Sequence, residues 1–111
     1  MTFGTLLRSL REKQGVGIKK LAPDLNVSYT YLSKLENDRV SPSTAVVERV
    51  ANYFEYNRDA LLLAADKIPA DVLQILKNNP EEAIEYLRKE YSKARVGADE
   101  RKFPKNFRKS K

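Results

Sequence analysis

The stretch Val27–Asn37, VSYTYLSKLEN, separates into two faces when wound as a helix. A helix beginning after Ser28, turning about 100° per residue, puts Tyr31, Leu32 and Leu35 on one side. Tyr29, Thr30, Ser33, Lys34 and Asn37 fall on the other. The first side must be covered by the rest of the chain. The second is an array of hydroxyls, an amide and an ammonium suited to hydrogen bonding with a polar partner. Ser28 is a good N-cap, because its hydroxyl accepts from a backbone N–H that lacks a helical acceptor.

Working outward toward the N-terminus, Ile18, Leu21, Ala22 and Leu25 give a short second helix over about residues 18–25. Pro23 lies late in it and weakens its last turn. Asn26 tolerates a left-handed turn position. Two short helices joined by about three residues must cross rather than lie antiparallel, which is helix-turn-helix geometry. Upstream, Phe3, Leu6, Leu7 and Leu10 repeat at i, i+3, i+4 and i+7, predicting a first helix from about Thr2 to Gln14. Its outward face carries Arg8, Arg11, Glu12 and Lys13, and Gly15 and Gly17 end it.

Toward the C-terminus, the polar loop Asp38–Pro42 leads to Ser43 or Thr44 as the cap of a fourth helix. Val46, Val47, Val50, Ala51 and Phe54 form its buried stripe. A short fifth helix carries Leu61, Leu62, Leu63, Ala64 and Ala65. Three consecutive leucines cannot all face one small core, so at least one packs on something else. Pro69 and Pro80 each open a further helix, since proline suits the first helical turn. The sixth spans about 69–77, with Val72, Leu73, Ile75 and Leu76. The seventh spans about 80–92, capped by Asn79, with Ala83, Ile84, Leu87 and Tyr91 in its stripe and Glu81 and Glu82 at its positive end.

Charge is unevenly placed. The net charge is +6, yet residues 1–91 hold 13 Lys and Arg against 13 Asp and Glu. Residues 92–111 hold eight basic residues against Asp99 and Glu100. The pI near 9.6 therefore describes a tail and not the body. With no period over residues 93–111, that tail is expected to be disordered when free. It serves either as a solvating end or as an arm touching phosphates.

Composition excludes several classes of function. With 111 residues, 41% of them hydrophobic, the chain has room for one small core. Mean hydropathy is −0.59, and no run approaches the ~20 apolar residues of a membrane span. No secretory pattern opens the chain, so the expectation is a cytoplasmic protein without membrane contact. Absence of histidine and cysteine removes His-based triads, thiolate chemistry, disulfides and the common zinc sites. Gly15-Val16-Gly17 is too short for a phosphate loop and follows a helix. Glu81, Glu82 and Glu85 read as a solvated, dipole-matched helix start and not as an acid/base pair. No catalytic residue, metal or cofactor is expected.

The run Leu6–Ser43, LLRSLREKQGVGIKKLAPDLNVSYTYLSKLENDRVSPS, resembles the Xre-like helix-turn-helix family, which includes the Cro and repressor proteins of phages. Its most specific parts are Lys20-Leu21-Ala22, the spacing to Val27-Ser28, and Tyr31–Asn37. The resemblance covers roughly residues 4–65. It implies an all-α protein: a five-helix Cro/repressor-like domain over 1–65, followed by a two-helix extension over 66–92 and the flexible basic tail over 93–111. It further implies a third helix in the major groove of double-stranded DNA, usually as a homodimer on a palindromic operator. By position, the resemblance makes Tyr29, Thr30, Ser33 and Lys34 the base-contact candidates. It gives the loop Asn37–Ser43 and the start of the fourth helix to phosphates.

The chemistry points the same way. Lys34 can donate to guanine, Thr30 and Ser33 can pair with either kind of edge, and Thr30 can also offer a methyl to thymine. Tyr29 can stack on a thymine methyl or donate to phosphate. Lys19, Asn37, Arg39, Ser41, Ser43 and Thr44 suit contacts that fix register without reading sequence. Tyr31 is a packing residue, and Leu32 and Leu35 are core. The resemblance also makes Arg11 and Glu36 a structural salt bridge between the first and third helices. Two departures stand out: Ile18 where many members have glutamine, and Gly17 where they have a Ser or Thr cap. A phosphate clamp from the second helix then falls to Lys19, Lys20 or backbone N–H groups. The extension can serve dimerisation, dock another protein or cap the leucines of the fifth helix. Dimerisation supplies the paired half-sites that one reading helix needs. The alternative is an antitoxin-type or adaptor protein whose main partner is another protein bound by residues 61–92.

Overall fold

The computed structural model describes residues 1–92. Among them the secondary structure is entirely helical: α1 (Phe3–Lys13), α2 (Ile18–Asp24), α3 (Tyr29–Glu36), α4 (Thr44–Phe54), α5 (Arg58–Ala64), α6 (Ala70–Asn78) and α7 (Pro80–Leu87). A π-wound turn, Arg88–Ser92, continues α7. The chain divides into two units, Met1–Pro69 and the part from Ala70 onward. The basic tail expected over 93–111 lies outside the described residues.

Local chemistry sets the boundaries in the first unit. Thr2, Ser28, Ser43 and Asn57 are side-chain N-caps, accepting from Thr5, Tyr31, Val46 and Ala60. Gly17 caps α2 without a side-chain bond. Helix ends share one device, a left-handed residue followed by a backbone N–H that reaches back to the preceding turn. Gly15 does this with φ 68°, and Val16 donates to the Arg11 carbonyl at 3.1 Å. Asn26, Asp38, Glu55 and Asp66 take the same conformation without being glycine. At the joint between α2 and α3, Asn26 at φ 59° lets Val27 donate to the Ala22 carbonyl at 2.9 Å. Pro23 lies in the last turn of α2, which stops one residue later.

Each of these five helices contributes to one core. Leu7, Leu21, Leu25, Leu32, Leu35, Val47, Val50 and Leu61 are fully buried. Burying a side chain of this size stabilises by roughly 1.5–3 kcal/mol relative to exposure. Leu6, Leu10, Val16, Ile18, Val27 and Tyr31 pack around the core at half burial. α3 packs on both α1 and α2, which leaves its remaining side in solvent. Leu63 is the leucine of α5 that finds no core, at 58% exposure.

Three expectations are corrected. Arg11 does not face outward; its side chain is only 13% exposed and turns onto α3. It sits one turn below Leu7 on the Phe3–Leu7 row, and a long guanidinium stem can follow that row inward. Asn79 does not cap α7 with its side chain, because its Nδ2 donates backward to the Ile75 carbonyl at 3.0 Å and closes α6 instead. The seventh helix does not keep one winding to residue 92, since α winding ends at Leu87 and π winding follows. Within the second unit, α6 packs on α7, yet neither helix buries a single residue.

Candidate nucleic-acid interface

The exposed side of α3 carries the polar array. Tyr29 is 53% exposed, Thr30 and Lys34 are exposed, and Ser33 is half-buried. None of these four side chains has a hydrogen-bond partner among the described residues. Directly beneath them Leu32 and Leu35 are fully buried. The helix is therefore fixed on one side and chemically open on the other.

Its fixing is electrostatic as well as apolar. Glu36, at the end of α3, is 2% exposed. Arg11 grips it as a fork, Nε donating to Oε2 and Nη2 donating to Oε1 at 3.0 Å. The remaining Arg11 nitrogen, Nη1, donates to the Val16 carbonyl at 3.0 Å and holds the loop before α2. Donating to Glu36 is the main reason the Arg11 guanidinium is held above its ordinary range, against the opposing effect of burial. Arg8 adds a second cation, its Nε 3.3 Å from Glu36 Oε1. One buried carboxylate thus meets two guanidiniums, which keeps its negative charge off the open face.

The loop after α3 is locked from the same side. Asp38 Oδ1 accepts from the Gly4 N–H at 2.9 Å and Oδ2 from the Thr2 hydroxyl at 2.7 Å, so a carboxylate sits at the positive start of α1. This approach needs a glycine. A Cβ on Gly4 would meet the Leu35 and Glu36 carbonyl oxygens at 2.6 Å. On the other flank, Arg49 Nη1 donates to the Leu25 carbonyl at 3.1 Å. Tyr53 donates to Asp24 at 3.3 Å, tying α4 to α2, and Lys20 donates to the same carboxylate at 3.2 Å from within α2.

Of the residues expected at phosphates, Lys19, Arg39, Ser41 and Thr44 are exposed and have no partner among the described residues. Lys20 is engaged with Asp24, so Lys19 is the free cation of α2. Ser43 caps α4, its hydroxyl accepting from Val46 N at 3.2 Å. Asn37 is committed at both ends of its amide, to Arg8 and to the Ser33 carbonyl. Gly4, Arg8, Asp38 and Arg49 escaped sequence reasoning as parts of this scaffold. Only Gly4 carried a signal. A glycine near the start of an otherwise strong helix costs about 1 kcal/mol against alanine and needs a reason such as close approach.

A family model described as a helix-turn-helix domain matches residues 4–67, more than half of the chain. This chain belongs to the Xre-like helix-turn-helix family of transcriptional regulators. Among curated proteins, this Xre-like chain is 29% identical over 90 residues to the HTH-type transcriptional regulator ImmR of Bacillus subtilis (strain 168). That match spans 81% of this chain and 71% of the relative. Among the described residues of the Xre-like chain, no helix is long and apolar enough to cross a membrane.

Proposed function

We propose that this chain is a sequence-specific reader of double-stranded DNA, a cytoplasmic repressor that acts as a homodimer on a palindromic operator. One observation carries the reading: a helix pinned by a buried carboxylate presents four polar side chains that have no hydrogen-bond partner among the described residues. Tyr29, Thr30, Ser33 and Lys34 supply the base contacts, each good one worth roughly 1–3 kcal/mol of discrimination. Lys19, Arg39, Ser41, Ser43 and Thr44 hold phosphates and set the register. The relative's printed role, a transcriptional regulator, supports the same reading.

The second unit supports dimerisation. Its helices expose Val72, Leu73, Ile75, Tyr86 and Leu87 and have no core of their own. α7 carries Glu81 and Glu82 in its first turn and Glu85 further along, and the turn that continues it opens with Arg88 and Lys89 before Glu90. Two copies of α7 run antiparallel about a two-fold axis would bring acid to base twice. The same exposed apolar residues suit a second reading, an adaptor whose partner protein binds residues 61–92.

The decisive experiment selects bound duplexes from a random pool with wild type and with a Tyr29/Thr30/Lys34 triple alanine variant. Wild type is expected to return an inverted repeat with half-sites one helical turn or a multiple apart, and the variant to return none. Identical selections from both proteins would sink the reading.

A further inference from the structure

The Asn37 amide has both of its faces occupied within the protein. Its Oδ1 accepts from Arg8 Nη2 at 2.9 Å, and its Nδ2 donates to the Ser33 carbonyl at 2.9 Å. The amide cannot be turned over, since that would set NH2 against a guanidinium and oxygen against a carbonyl. Arg8 in turn donates through Nε to the buried Glu36. The result is a continuous chain of donors and acceptors from a buried carboxylate, through Arg8 and Asn37, to the backbone of Ser33. That carbonyl also receives the Asn37 backbone N–H at 3.1 Å.

The direction of these tethers matters. Among the described residues, each hydrogen bond that ties a side chain of α3 or its C-cap to another helix ends on α1, at Arg8 or Arg11. α2 touches α3 through apolar packing and gives it no such bond. The start of α3 is therefore placed against its neighbours by apolar packing, while its last turn is held in addition by polar bonds of directed geometry. Ser33 and Lys34 lie in that last turn.

We propose that Arg8 and Asn37 are positioning residues of the DNA-reading surface. They form a bracket that sets the last turn of α3 against α1, and with it the placement of Ser33 and Lys34 on base edges. Asn37 is then no phosphate ligand, although its exposure and its place in the loop invite that role. The assignment rests on the DNA-reading function proposed above.

The test uses the full chain as wild type, Arg8→Gln, Asn37→Ala and the double variant. Affinity is measured for the selected duplex and for a scrambled one over a range of salt, at a temperature well below unfolding. Each single variant is expected to lower the specific-to-scrambled affinity ratio about tenfold, because each cuts the same chain. The double variant should lose little more. All four salt slopes should agree, since the bracket neutralises no phosphate. Multiplicative losses in the double variant, an unchanged ratio, or a slope shallower by about one unit in Arg8→Gln would each overturn the bracket. Amide exchange at Asn37 and Asp38 in the free protein is expected to accelerate in both single variants, and unchanged exchange would also overturn it. Wild type that selects no sequence would instead remove the functional reading, with the exchange result still deciding the bracket.

Discussion

Glu36 is the residue on which the placement of α3 depends. A carboxylate 2% exposed is tolerable only because two guanidiniums reach it. Removing one side of such a pair leaves an uncompensated buried charge, at a cost of about 3–5 kcal/mol. Arg11→Met leaves Glu36 with Arg8 alone, so it is expected to lower stability in urea unfolding by less than that full amount, yet by more than Arg8→Met, because Arg8 is the more exposed partner. Alkaline pH acts at a different place. The Lys20 ammonium is raised above its ordinary 10.5, first by the hydrogen bond to Asp24 and then by the charge of that group. A raised folded-state value means stabilisation that is complete below 10.5 and lost as pH climbs through the raised value. Lys20 is fully exposed, so the loss is small. Its signature is a drop in melting temperature above about pH 10 that is smaller in Lys20→Met than in wild type. Arg11 has the same sign of shift, but at a pH beyond that range, so its bridge outlasts that of Lys20.

At the scale of the element, α3 and its two faces were legible because a period of 3.6 needs only local sequence. The stripe Leu32 and Leu35, the Ser28 cap and the polar set from Tyr29 to Lys34 all follow from neighbours within two turns. What holds α3 in place was less legible, because the partners are remote in the chain. Asp38 reaches Gly4 across 34 positions, and Arg8 reaches Asn37 across 29. Asn79 was misread for a related reason. Its side chain had two helices to serve, and its amide donates back to the Ile75 carbonyl of α6. The tightness of the α1–α3 contact gives a direct prediction. Gly4→Ala places a methyl 2.6 Å from two carbonyl oxygens, so backbone must move. Overpacking of this kind costs about 1–3 kcal/mol, to be read as a lower denaturant midpoint. Sequence-specific binding should fall with it, because Asp38 loses its hold on α1.

Across the whole molecule, the separation of charge from structure matters most. The described body is close to neutral, and the excess of +6 lies in residues 92–111. A protein whose cations all served affinity would lose specificity to non-specific binding; here the reading face carries few of them. Deleting residues 93–111 is expected to flatten the dependence of log affinity on log salt while leaving the selected sequence unchanged. An unaltered slope would show that the tail does not meet phosphate. On the dimer proposed above, association falls to the second unit. Leu87→Glu puts a charge into its exposed stripe, and the residue is 43% exposed, so the helices themselves should survive. In sedimentation equilibrium at micromolar concentration, wild type is expected at twice the 12.7 kDa of one chain and the variant at 12.7 kDa.

The second unit buries no residue in either α6 or α7. A pair of helices without a core cannot hold its own shape in water at this length. On the dimer proposed above, folding of this hairpin and meeting of two chains become one event, and helicity by circular dichroism should rise on concentrating the protein. Below the dissociation constant, the amount of paired reader then grows as the square of the amount of chain. On that dimer, doubling the chain would quadruple the paired reader, so occupancy of a paired site would respond more steeply than the chain's own concentration.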